Sequence, residues 1–89
     1  MELGRVTGSV WGTRKADKLA GYKLLLVEPW APTEGEDPGM VRVCADVIGA
    51  GVGEKVLVAF GSAARRAVGD DGAPVDAAVV AIVDGWEVR

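Results

Sequence analysis

The sequence predicts an all-β fold, a five-stranded partly open barrel with one short helix. Three observations carry this. Short segments of strand periodicity recur along the 89 residues, separated by glycine- and proline-bearing turns. No segment sustains a helical period beyond about two turns. No helix-length crossover joins consecutive strands, so a parallel βαβ sheet is not indicated, and a five-stranded barrel is the economical closure at this length.

The first strand is predicted over Leu3 to Trp11, LGRVTGSVW, where Val6, Gly8 and Val10 share one face and Arg5, Thr7 and Ser9 the other. Gly4 and Gly8 suggest a bend or a close backbone approach. GTRKADKLAGY, from Gly12 to Tyr22, reads as a polar loop. Leu24 to Val27 is an apolar run too short for a buried helix, so it is a strand that Pro29 ends. APTEGEDPG, from Ala31 to Gly39, is an exposed acidic loop. Met40 to Ile48, MVRVCADVI, has the clearest alternation. Val41, Val43, Ala45 and Val47 face one way, and Arg42, Cys44 and Asp46 the other.

A glycine loop, Gly49 to Glu54, leads into the strand KVLVAF, Lys55 to Phe60. GSAARRAVG follows as a short helix, with Ser62 as its N-cap and Gly69 as its stop. DDGAP, Asp70 to Pro74, is turn chemistry. Ala77 to Val83 is the last apolar strand, and the tail DGWEVR has room for a short one. All of this is expected to form a single domain over residues 1–89.

Composition narrows the function. A chain this small buries limited apolar surface and often needs a disulfide, a metal or a partner. With one cysteine, Cys44, and no histidine, an intrachain disulfide is impossible and a zinc site is not supported. Oligomerisation remains. A net charge of −3 argues against a nucleic-acid backbone binder. No apolar run reaches a membrane span. MELGRVTGSV has no charged segment followed by an apolar one, so a cytoplasmic location is expected.

The glycines at 49, 51 and 53 invite a nucleotide reading. A dinucleotide fingerprint needs a third glycine one residue later and a following helix whose N-terminus meets the phosphate. Here Glu54 and a strand stand in those places. The remaining readings are a tight strand-to-strand turn, or a turn that lets backbones of several chains approach around an axis.

Other chemistry is thin. Lack of histidine removes Ser-His-Asp and Cys-His arrangements. Cys44 reads as a small residue in the barrel wall. Asp70 and Asp71 read as a solvated turn rather than metal ligands, and no spacing among Glu28, Asp46, Glu54 and Asp84 supports a carboxylate pair. Ser62, Arg65 and Arg66 could bind an anion at a helix start, although a capped helix with solvated arginines accounts for them. Trp11, Tyr22, Trp30, Phe60 and Trp86 suit core and interface packing.

LGRVTGSVWGTRK, LAGYKLLLVEP, VCADVIGAGVGEKVLV, FGSAARRA and PVDAAVVAIVD, in this order, resemble the EutN/CcmL family, the pentameric vertex proteins of bacterial microcompartment shells. GAGVGE followed by a strand and GSAAR is the most specific part. Trp11, where a small or aliphatic residue is expected, and Ala81, where glycine is common, depart from the pattern. The resemblance implies a barrel of the oligonucleotide-binding type that assembles as a homopentamer, has no catalysis or cofactor, and caps the vertices of a shell tiled by hexameric shell proteins. By motif match, Gly49, Ala50, Gly51, Val52, Gly53 and Glu54, and Gly61, Ser62, Ala63, Ala64 and Arg65, are expected near subunit contacts or the axis. Lys15 and Asp84 are expected in polar contacts between neighbours. The alternative is a monomeric barrel that binds single-stranded nucleic acid or a small anion.

Overall fold

The structure, a computed structural model, describes residues 1–12, 14–30 and 40–85. The acidic loop expected over 31–39, and all but the first two residues of the tail expected to add a strand, lie outside these residues. The elements in chain order are β1 (Glu2–Val10), β2 (Lys23–Pro29), β3 (Arg42–Asp46), β4 (Lys55–Phe60), α1 (Gly61–Val68) and β5 (Ala77–Ile82).

The five strands close into a barrel in the order β1-β2-β3-β5-β4, with β1 also paired to β4. The expected partly open barrel is therefore closed. Its seam is short: β3 and β5 run parallel and pair only at Ala45 with Ala78 and Asp46 with Val79. All other pairings are antiparallel.

Both early glycines have the roles the sequence suggested. At Gly4 a Cβ would lie 2.5 Å from Val27 Cγ1 and 2.9 Å from the Glu28 carbonyl oxygen, so β1 and β2 approach only because that atom is missing. Between Val6 and Gly8 the β1–β2 register shifts, which places a bulge at Thr7. That shift breaks the simple alternation: Val6 is fully buried while Val10 is exposed.

The barrel core is aliphatic, built on Val6, Leu25, Val27, Val56, Val58 and Val79, with Cys44 and Ala50 among them. A second cluster lies outside β3, where Ala45, Ala73 and Val75 pack with Leu19, Tyr22, Leu24 and Val68. It covers only one end of that face. The two faces of β3 divide as the alternation predicted, yet their polarity is inverted. Cys44 is fully buried and Asp46 nearly so, whereas Val41 and Val43 are 47% and 49% exposed.

The helix starts two residues earlier than a Ser62 cap implies. Its cap position is Phe60, with no side-chain cap bond, and Ser62 lies inside it. The chain passes directly from β4 into α1 by a turn at Gly61, φ +60°, whose N–H donates to the Asp76 carbonyl at 2.8 Å. That bond anchors the helix start to the residue before β5, so a serine cap is not needed. Gly69 ends the helix in the left-handed region, as predicted.

Three cation–aromatic contacts and one ion pair tie the barrel strands together from outside the core. Arg42 donates to Glu2 through Nε and Nη2, at 3.1 and 3.2 Å, and lies 5.2 Å from the centre of the Phe60 ring. Trp30 has Arg5 at 4.4 Å and Lys55 at 4.7 Å from its ring centre.

Two outcomes are expected from this packing. Gly4→Ala forces β1 away from β2 and costs about 1–3 kcal/mol, read as a lower denaturant midpoint at fixed protein concentration. Burial pushes the Cys44 thiol up to about 11 from its ordinary 9.0, against the opposing pull of the Arg42 charge. The unfolded chain therefore loses this proton first. The thiol's contribution to stability is complete below 9.0 and falls away as pH rises toward 11. Denaturation curves across that window should show a steeper loss for the parent than for Cys44→Ala.

Candidate subunit interface

The GAGVGE segment does not form a hairpin. β3 and β4 are not neighbours, since β5 lies between them, so the loop crosses the end of the barrel and docks beside β1. Val6 donates to the Glu54 carbonyl at 3.0 Å, and Gly53 donates to the Val6 carbonyl at 2.8 Å. This corrects the expectation of a tight strand-to-strand turn. Gly49 and Gly53 adopt φ of +92° and +89°, so these two glycines serve the backbone conformation.

Two carboxylates hold the loop. Asp46, 9% exposed, accepts at Oδ1 from the amides of Ile48 (3.0 Å) and Gly49 (3.1 Å). Its Oδ2 accepts from Gly49 (3.2 Å) and Ala50 (3.0 Å). Glu54 Oε1 accepts from the Gly51 amide at 2.6 Å. From the other side Lys23 Nζ donates to the Ala50 carbonyl at 3.3 Å. The amides that would cradle a phosphate thus already donate to protein oxygens, and the strand that follows offers no helix start. This geometry agrees with the sequence argument against a nucleotide loop.

The remaining residues of the loop divide by burial. Ala50 is fully buried and fastens the loop to the core, while Val52, at the tip, is 71% exposed. Gly49 and Gly53 are exposed, and Gly51 and Glu54 half-buried. The strand register puts this loop at one end of the barrel, with Lys23, Lys55 and Ile82. Gly61 and the start of α1 lie at the opposite end, beyond Phe60 and Ala77. The two motifs expected together near contacts are therefore separated by the length of the barrel within one chain.

In that second motif Gly61 and Arg65 are half-buried, Ser62 and Ala63 exposed, and Ala64 fully buried. Lys15 is exposed in the loop between β1 and β2, and Asp84 is exposed beyond β5. Among the described residues no group of three metal-ligating side chains gathers.

Two features were missed. One is Asp46 as organiser of the loop. The pattern Asp-x-x-Gly ahead of a glycine cluster was the available signal, since aspartate readily bonds amides two and three residues on. The other is a groove on the outside of β3, lined by Val41, Arg42, Val43, Phe60, Asp76 and Ala77. It continues past Val43 toward Leu24 and Pro74. Its signal was the run of alternate valines, which mark an apolar face without saying whether it turns inward.

Removing the organising carboxylate leaves three amides without their acceptor. Asp46→Ala is expected to lower stability by about 2 kcal/mol or more and to speed amide exchange at Ile48, Gly49 and Ala50. Hydrogen-exchange measurements on the variant would show unchanged protection there if the carboxylate is dispensable.

The profile of the family described as "Ethanolamine utilisation protein EutN/carboxysome" matches residues 1–84. The carboxysome shell vertex protein CcmL of Synechocystis sp. is 48% identical over 84 residues, covering 94% of this chain and 83% of the relative. The bacterial microcompartment shell vertex protein PduN of Salmonella typhimurium is 45% identical, covering 94% of this chain and 96% of the relative. Among solved structures, the GrpN pentameric microcompartment shell protein from Rhodospirillum rubrum superimposes with a TM-score of 0.84 at 43% identity, covering all of both chains. Sequence motif, barrel topology and full-length similarity agree: the chain belongs to the EutN/CcmL family of bacterial microcompartment shell vertex proteins.

Proposed function

We propose that five copies of this chain close into a ring and cap the vertices of a microcompartment shell whose facets are hexameric proteins. The chain is a structural shell vertex protein of microcompartments, and its work is geometric. A layer of sixfold units is flat. Replacing one by a fivefold unit removes a sector and forces curvature, so closed polyhedra need such units at their corners. Each subunit of the ring must offer one patch to its left neighbour and a different patch to its right.

The observation that carries this reading is the end-to-end likeness to a pentameric shell protein. The apolar outer face of β3 supports it: two valines about half exposed beside a half-buried phenylalanine suit a partner better than water. The small barrel also gains from assembly what its short core lacks.

Light scattering after size exclusion tests the ring. Five chains of 9.2 kDa give a species of about 46 kDa that persists on dilution. A protein that stays at the mass of one chain at every concentration would overturn the self-assembling ring.

A further inference from the structure

A fivefold ring needs two complementary patches on each chain, and the described residues hold a matching pair at opposite ends of the barrel. The first is concave. β3 and β5 bond only at Ala45–Ala78 and Asp46–Val79, and the register carries no pairs toward Arg42. The unbridged part is the groove between Val41, Val43, Phe60 and Ala77, with Arg42 and Asp76 also lining it. The satellite cluster under Leu19, Tyr22 and Val75 covers the neighbouring Ala45 but stops short of Val43. The groove is thus open on one side, with Val41, Val43, Phe60 and Ala77 set between the charged side chains of Arg42 and Asp76.

The second patch is convex. Val52 stands at the tip of the glycine loop, 71% exposed, with Ile48 and Val47 exposed at 47% and 41% behind it. This loop is already rigid, because Asp46 and Glu54 take its amides and Val6 pins its far end. A rigid apolar tip loses little freedom on docking, which is what a contact repeated five times requires. Trp11 is also exposed, at 81%, but it follows the last residue of β1 and has no strand pairing to hold it.

We infer that the glycine-loop tip around Val52 of one chain seats in the β3–β5 groove around Val43 of the next. This inference rests on the ring reading above and names its contact. It is heterologous, as ring closure demands, and it brings GAGVGE of one chain to the GSAAR end of its neighbour, two motifs that a single barrel holds apart. Both sides carry charges of either sign: Arg42 and Asp76 line the groove, and Glu54 and Lys23 hold the loop that would enter it.

The test compares the parent with Val43→Glu, Val52→Glu and Trp11→Glu by light scattering, with circular dichroism to check folding. All three side chains are exposed in the single chain, so the barrel tolerates the charge. A carboxylate buried without a partner in each contact raises the concentration at which rings dissociate on the order of a hundredfold for Val43→Glu and Val52→Glu. Trp11→Glu keeps the ring. As a positive arm, Val43→Cys/Val52→Cys in a Cys44→Ala background should oxidise to a ladder of up to five linked chains, which neither single cysteine gives. Rings that survive both glutamates, or a ring that yields no ladder, overturn the contact and leave the ring standing. Loss of the ring in Trp11→Glu alone moves the convex patch to the end of β1. A parent that never forms a ring overturns both readings.

Discussion

One carboxylate joins the parts of this molecule that matter. Asp46 is the last residue of β3, it lies in one of the two pairs that close the barrel, and its side chain takes the amides of the loop that follows. Closure and loop geometry therefore share a residue. A nearly buried carboxylate is costly to desolvate unless it is amply hydrogen-bonded, and three amides supply that compensation. The arrangement works in one direction only: the loop must bend back at once, which is why glycine at φ +92° comes three residues later.

From that point the rest of the fold can be followed. The loop crosses the barrel end to reach β4, held by Lys23 of β2 and leaning on β1 at Val6, so this end is closed by hydrogen bonds to its backbone. At the other end the seal is made by side chains, through Arg42, Glu2 and Phe60. The first end is stiff and projects an apolar tip. The second is a shallow recess where two valines lie beside Phe60, Arg42 and Asp76. A protein whose task is to tile benefits from this asymmetry, since identical units with two unlike ends can close a ring but cannot stack face to face by the same contact.

Much of this was legible in the residues. β1 and β3 followed from alternation and β2 and β5 from short apolar runs, the close approach at Gly4 and the irregularity near Gly8 from glycine within a strand, and the end of α1 from Gly69. What escaped has physical reasons. Alternation in MVRVCAD separates two faces, but the sign of each face depends on what covers it, and here small Cys44 fits the crowded interior while the valines look outward. Ser62 was read as a cap from its type alone, yet a helix launched directly from a strand by Gly61 borrows a carbonyl from Asp76 instead. The order β3-β5-β4 is a long-range pairing that no local pattern encodes, and without it the glycine loop could only be imagined as a hairpin. The apolar tip and recess were hidden for the same reason, because both are defined by which ends of the barrel their strands reach.

The clamp on Trp30 has a different consequence. β2 ends at Pro29 opposite Gly4, and the next residue is held by its amide on the Leu3 carbonyl at 3.0 Å and by two cations on its ring. The chain returns at Arg42, itself tied to Glu2 and registered on Val27. Departure and re-entry are thus both held on β1, at Leu3 and at Glu2. A change in the first three residues of β1 is therefore felt at once where β2 ends and where β3 begins, two points that the chain itself joins only by a long detour.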